Sequence, residues 1–270
     1  MYCLQINLTP TAAMTFRILP GSILNIATYP FVPPTTLSGY LRRVAMLSAG
    51  LDIPETTINK DNPPFYTLPR NIISLGAYPV ANTYTGVHRT YRKGMRSFNH
   101  DVFSRLYVGK DKANFQLHTW EYLIAEKLIG YVVSESKSDL EKFQQIKGRG
   151  CKLGKEGFAV VEEVSAPIKL KRETKSASPS TIVPMETLLQ SGGFINGCDI
   201  YNLYRYQWSS SEIDANSFTN NSSAIAGFIP FVGGYYPPQS ESVATLKYYT
   251  NGEINIPISL INLIQGKVNV

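Results

Sequence analysis

Three histidines, His88, His100 and His118, are the only imidazoles in the chain, and the first two bracket a run of unusual composition. That run, His88-Arg89-Thr90-Tyr91-Arg92-Lys93-Gly94-Met95-Arg96-Ser97-Phe98-Asn99-His100, interleaves cations with aromatic and thioether side chains. Cations neutralise phosphates while flat side chains wedge against bases, which suits single-stranded RNA. A surface hairpin whose aromatics cover a core edge would carry the same residues. A histidine can also serve as general acid or base in metal-independent RNA cleavage. His88 or His100, beside Arg and Tyr, has the company for that role, whereas His118 lies in a strand pattern and reads as structural. The acidic residues are scattered, with no D-x-D or H-x-E grouping near the histidines, so neither a metal nor a cofactor is expected.

A second candidate is the turn Lys147-Gly148-Arg149-Gly150-Cys151-Lys152-Leu153-Gly154-Lys155-Glu156-Gly157-Phe158, rich in glycine and cations. Glycine tolerates positive φ and leaves the backbone accessible, so amides and ammonium groups can converge on phosphate. The G-x-x-x-x-G-K-[ST] spacing is missing and the expected order is helix then strand, which argues against nucleotide hydrolysis. RNA-backbone binding and a plain tight turn with solubilising lysines are the two readings.

The third is Tyr29-Pro30-Phe31-Val32-Pro33-Pro34-Thr35-Thr36-Leu37-Ser38-Gly39-Tyr40-Leu41-Arg42-Arg43. Two prolines hold the approach extended, Thr35 or Thr36 can cap the first free amides, and Leu37, Tyr40, Leu41 and Val44 recur at helical spacing. The spacing predicts a helix over 35–49, ended by Gly50. Gly39 costs roughly 1 kcal/mol there relative to alanine, so close approach of a backbone or ligand is the expected compensation.

The elements that must hold these residues are legible in outline. An alternating strand at 2–8 is followed by the helix, and a Pro- and Asn-rich stretch at 51–86 contains a short apolar piece, Ile72-Ile73-Ser74-Leu75. Residues 115–134 read as one long strand or a hairpin broken near Gly130. Ser138 and Glu141 stand at capping-box spacing for a short helix, and 158–164 is strand-like. This β-α-β-β-α-β order predicts an α+β, ferredoxin-like fold of the kind used by RNA-recognition modules, without their base-stacking aromatic motif. Residues 1–175 are read as this domain, with an insertion at 51–112. Residues 176–270 are read as a β-rich region with strands at 224–230, 243–249 and 254–263.

Charge is strongly segregated. Residues 88–112, 147–155 and 169–175 together carry a net +12, and the rest of the chain −6. The third segment holds Lys169, Lys171, Arg172 and Lys175, whereas 176–270 contains only Arg205, Lys247 and Lys267 against six acidic residues. Such segregation is the footprint of a polyanion-binding surface, unless the clusters are solvated loops that never meet. Cys3, Cys151 and Cys198 include no C-x-x-C pair and read as small buried residues. No apolar run approaches a membrane span and the start lacks the basic character of a signal peptide, so a cytoplasmic location is expected.

With PPTTLSGYLRR, the basic insertion and the glycine-lysine turn together, residues 1–165 resemble the Cas-five family of the RAMP superfamily. Members cap the 5′ handle of the guide RNA in Cascade-type CRISPR complexes, and the type I-D or an archaeal variant is the subtype favoured. The resemblance implies a ferredoxin-like body, a protruding hairpin thumb and contacts with guide RNA, the backbone subunit, the large subunit and target DNA near the protospacer-adjacent motif. Carried onto this sequence, it implies RNA contacts from Thr35, Thr36, Ser38, Gly39, Arg42 and Arg43. Further contacts would come from His88, Arg89, Tyr91, Arg92, Lys93 and Arg96 in the thumb, and from Lys147, Arg149, Lys152 and Lys155 in the turn. Some members cleave precursor RNA with a Tyr, Lys and His constellation. The Lys-His pair is absent here and His88-Arg89 is a loose substitute, so a non-catalytic subunit is expected. A repeat-cleaving endoribonuclease and a protein-binding β protein unrelated to RNA are the alternatives.

Overall fold

The computed structural model describes residues 1–19, 25–50, 67–95, 115–190, 197–208, 225–238 and 244–267. Arg96, His100 and the remainder of the basic insertion up to residue 114 lie outside the described residues. The protein is mixed α+β with strands dominant.

The central sheet joins β1 (Tyr2–Pro10), β3 (Ile73–Pro79), β6 (Leu128–Ser134), β7 (Gly150–Leu153) and β8 (Gly157–Val164) in the order β3-β6-β1-β8-β7. Every neighbouring pair in it is antiparallel. A short β9 (Ile168–Lys169) pairs with the start of β1. The strand period puts Leu4, Ile6 and Leu8 of β1 on one fully buried face, with Gln5, Asn7 and Thr9 on the other.

Helix α1 (Pro34–Ser48) follows β1 and packs against β3 and β7. Its start differs from the sequence expectation. Pro33 is the N-cap and no side chain caps the helix, because Thr35 and Thr36 fall inside the first turn. Leu37, Tyr40, Leu41 and Val44 are buried as expected, but Ser38, Arg42, Ala45 and Met46 are buried too. The helix is therefore covered on two sides.

Three further expectations are corrected. Residues 115–134 are two strands in different sheets, β5 (Phe115–Ala125) and β6, separated at Glu126-Lys127 rather than at Gly130. Ser136, not Ser138, caps α2 (Lys137–Glu141) by accepting from the Asp139 amide. A 3-10 turn, Lys142–Ile146, continues it. Residues 254–263 are not one strand: β15 (Asn255–Pro257) gives way to α4 (Ile258–Gln265), which Gly266 ends in a left-handed conformation.

Two long hairpins leave this body. One is β4 (Thr85–Met95) with β5, paired over eleven positions and joined at its base by β2 (Asn25–Ile26). The other is β12 (Asp199–Trp208) with β13 (Ile225–Tyr235), flanked by β11 (Val183–Pro184) and α3 (Met185–Gln190). A last sheet orders β10 (Lys171–Ala177), β14 (Ala244–Thr250) and β15. Phe31, Tyr78, Tyr201 and Tyr235 lie within 4.8–6.0 Å of one another, centroid to centroid, where they contact. Tyr29 also donates a hydrogen bond to the Asn202 carbonyl. The main core thus draws residues from both sides of position 175.

Candidate nucleic-acid interface

The basic hairpin is bolted to the body at its base. Trp120 and Tyr122 of β5 turn the same way, stacked at 6.4 Å, and are buried. Trp120 Nε1 donates to Thr15 Oγ1 at 2.9 Å, and Thr15 Oγ1 donates to the Glu121 carbonyl at 2.9 Å. Glu121 faces the other way, where one carboxylate oxygen accepts from Arg89 Nη2 at 2.6 Å and Nε at 3.1 Å. Its second oxygen accepts from the Thr28 amide at 3.2 Å. A charge-assisted fork on a carboxylate also anchored to backbone fixes the register of the hairpin base.

On β4 the described side chains from Val87 to Tyr91 are exposed. Tyr91, opposite Thr119, is 68% exposed, and His88 is exposed with its Nε2 2.7 Å from the Tyr84 hydroxyl. Arg92 and Lys93 continue the same strand opposite His118 and Leu117.

The glycine-lysine segment is a β-hairpin, β7–β8, rather than the helix-to-strand loop expected, and its glycines have steric reasons. Gly154 sits at φ +73°, and a Cβ there would lie 2.9 Å from the Thr15 carbonyl oxygen. At Gly157 a Cβ would lie 2.2 Å from Met14 Cγ. The turn is pressed against residues 14–16, with the Lys155 amide donating to the Thr15 carbonyl at 3.1 Å. These are the residues that hold Trp120. Consequently Lys155 Nζ lies 4.2 Å from the Trp120 ring centroid, and Tyr122 donates to Glu156 at 3.2 Å. The glycine-lysine turn thus abuts β5, the partner strand of the first basic segment, on the Trp120 face of that hairpin, while Arg89 lies on the opposite face.

Lys147, Arg149, Lys152 and Lys155 are all exposed. Lys152 pairs across the strands with Phe158, itself 41% exposed. Phe158 belongs with the candidate residues and was missed, because an aromatic within an apolar strand reads as core. Further along β8 the exposed residues turn acidic: Glu162 accepts from Thr9 and Glu163 from Asn7, both across from β1. That acidity repels phosphate from the open sheet face and leaves the hairpin edge as the cationic path.

The α1 candidates separate from this edge. Arg42 is 1% exposed, so it is withdrawn as a contact residue; burial pushes its guanidinium down to about 10. Arg43, Thr36 and Gly39 are half-buried. Ser38 Oγ accepts from the Leu68 amide, and Thr35 offers its carbonyl to the Tyr206 hydroxyl at 2.8 Å. Thr35 and Ser38 line a cavity of about 20 Å³ together with Arg70, Ser74, Arg205 and Trp208. Arg70 lies over the Trp208 ring at 6.0 Å. Arg205 Nε and Ser74 Oγ are buried without a hydrogen-bond partner among the described residues. The sequence gives no signal for Arg205, which reaches the cavity from the second hairpin.

Among the described residues no cluster of three metal-ligating side chains is present, and no helix is long and apolar enough to cross a membrane. Burial pushes the Cys151 thiol up to about 11 and Cys3 up to about 12, which makes both poor nucleophiles.

No protein-family model matches the sequence, and comparison with curated proteins found no match. Solved structures of similar shape include that of a CRISPR protein from Archaeoglobus fulgidus, 14% identical, over 94% of this chain and 98% of that one, with a TM-score of 0.47. A chain of the type III-B Cmr-beta complex bound to cognate target RNA and AMPPnP is 12% identical, over 98% and 90%, with a TM-score of 0.41.

Proposed function

We propose that this chain is a non-catalytic guide-RNA-binding subunit of a CRISPR effector complex that caps the 5′ handle. The observation that carries the reading is the seating of the glycine-lysine turn on the base of the basic hairpin through Lys155 and Trp120. Phosphates would run along Lys147, Arg149, Lys152 and Lys155, with Phe158 the exposed ring available for base stacking beside them; Arg89 and Tyr91 would serve a strand on the opposite face of the β4–β5 hairpin. The resemblance of PPTTLSGYLRR to the Cas-five family supports the assignment. So does the strand order β3-β6-β1-β8 with helices after β1 and β6, the order of a ferredoxin-like body. The β4–β5 hairpin is the thumb in this reading, with the backbone subunit, the large subunit and target DNA as further partners.

The competing reading is metal-independent cleavage of repeat RNA by His88. His88 and the Tyr84 hydroxyl 2.7 Å from its ring would be the proton acceptor and donor that general acid/base cleavage needs at the scissile phosphate. Purified protein incubated with repeat RNA should retain it uncut, with or without divalent metal. Cutting at one position, lost in His88→Ala and kept in His118→Ala, would replace the scaffold reading with the nuclease.

A further inference from the structure

The third basic cluster takes no part in the hairpin edge. Lys169 pairs with Tyr2, and the Leu170 amide donates to the Met1 carbonyl, so the cluster begins at the Met1 end of β1. The glycine-lysine hairpin meets the opposite end, where the Thr11 amide donates to the Phe158 carbonyl. A strand of this length separates the two ends by about 30 Å.

β10 is an edge strand, and its register with β14 sets Arg172 opposite Tyr249 and Thr174 opposite Lys247. Residues directly opposite share a face, so Arg172, Thr174 and Lys247 form one patch, and Glu173 points to the other side. The Arg172 guanidinium lies 5.2 Å over the Tyr249 ring, and its Nε donates to the Tyr249 hydroxyl at 2.8 Å. Tyr249 is itself buried in the main core. Arg172 is therefore held by a rigid base while remaining exposed. Among the described residues neither Arg172, Lys171, Lys175 nor Lys247 pairs with a carboxylate. Lysines on an edge strand discourage edge-to-edge pairing, which accounts for Lys171 and Lys175. It does not account for a tyrosine-anchored arginine or for a lysine on the inner neighbour.

We infer that this face of the β10–β14 ladder is a second polyanion site that holds the sugar-phosphate backbone of a single-stranded nucleic acid. Arg172 and Lys247 beside the hydroxyls of Thr174, Ser176 and Thr245 are the residue types that contact phosphate oxygens. The Tyr249 clamp pre-orders the guanidinium for a forked contact. The exposed residues of this face, Arg172, Thr174, Ser176, Thr245 and Lys247, are all polar, so it lacks the apolar anchor on which protein partners depend.

The test is titration of the full chain with labelled poly(U) over a range of salt. Arg172→Ala/Lys247→Ala should weaken binding about 5-fold or more and lower the log-log salt slope by roughly 1.4, at 0.7 per single-strand phosphate contact. Arg172→Ala also removes the bond to Tyr249 and can lower the thermal midpoint, so Lys247→Ala alone, which removes an exposed side chain, should lower the slope by roughly 0.7 with no change in midpoint. Tyr249→Phe, which keeps the ring and removes the acceptor, should give a smaller loss of the same kind. The losses should persist in a Lys152→Ala/Lys155→Ala background. An effect of Arg172→Ala/Lys247→Ala with none from Lys152→Ala/Lys155→Ala would uphold this site and reject the hairpin edge. Unchanged affinity and slope in the β10–β14 variant would overturn it. So would a loss confined to poly-glutamate as the probe, which would assign the patch to an acidic protein.

Discussion

Lys155 sits with its ammonium 4.2 Å from the centre of the Trp120 ring, and this contact joins a turn in the second half of the central sheet to the base of a hairpin inserted before it. Trp120 is in turn hydrogen-bonded to Thr15, whose carbonyl receives the Lys155 amide. The two basic segments are thus positioned by one small set of buried groups. Trp120→Phe keeps most of the apolar cover but loses the bond to Thr15, and should lower the unfolding free energy by about 1 kcal/mol in urea titration. RNA affinity should fall with it, because Lys155 loses part of its seat. An unchanged midpoint would show that the Thr15 bond does not hold the hairpin.

Gly157→Ala tests whether the glycines of the turn serve packing or phosphate. Its Cβ would lie 2.2 Å from Met14 Cγ and 2.5 Å from the Leu153 carbonyl oxygen, so overpacking should cost about 1–3 kcal/mol. At Gly148 a Cβ meets nothing within 4 Å, and only the positive φ of +75° opposes alanine. Gly148→Ala should therefore cost about 1–2 kcal/mol from the backbone alone, less than Gly157→Ala. Thermal melting decides the order; equal losses would contradict the packing account.

Alkaline pH should unfold the protein, and the sign follows from burial. Tyr29, Tyr131 and Tyr201 are pushed up to about 12 from an ordinary 10, and Cys3 to about 12 from 9. Each group holds its proton more tightly when folded. Its contribution is complete below the unfolded value and is lost as pH rises from about 9 towards 12. Stability should be flat up to about pH 9 and fall steeply above it, with the buried tyrosines ionising only as the fold is lost. Tyrosinate absorbance that rises well before the circular-dichroism signal decays would contradict this.

Local chemistry explains how much of this could be read in advance. The alternation of β1 and the spacing of Leu37, Tyr40, Leu41 and Val44 depend on near neighbours and were legible. Arg42 follows Ser38 by one helical turn on a second stripe that becomes buried only when distant segments fold over it, so its burial leaves no local trace. The Ile-rich stretch 258–264 favours a strand by propensity, yet Pro257 at the N-cap position starts a helix. Lys247 looked remote from every basic cluster. Cross-strand register with Thr174 brings it into one.

The proposed grip of the hairpin edge on RNA phosphate is tested most directly by the salt dependence of handle-RNA binding. Lys152→Ala/Lys155→Ala should weaken binding and lower the log-log salt slope by roughly 1.4. Lys137→Ala/Lys142→Ala removes two cations already paired with Glu141 and Asp139 and should leave the slope unchanged. Equal slopes for the two variants would contradict the account.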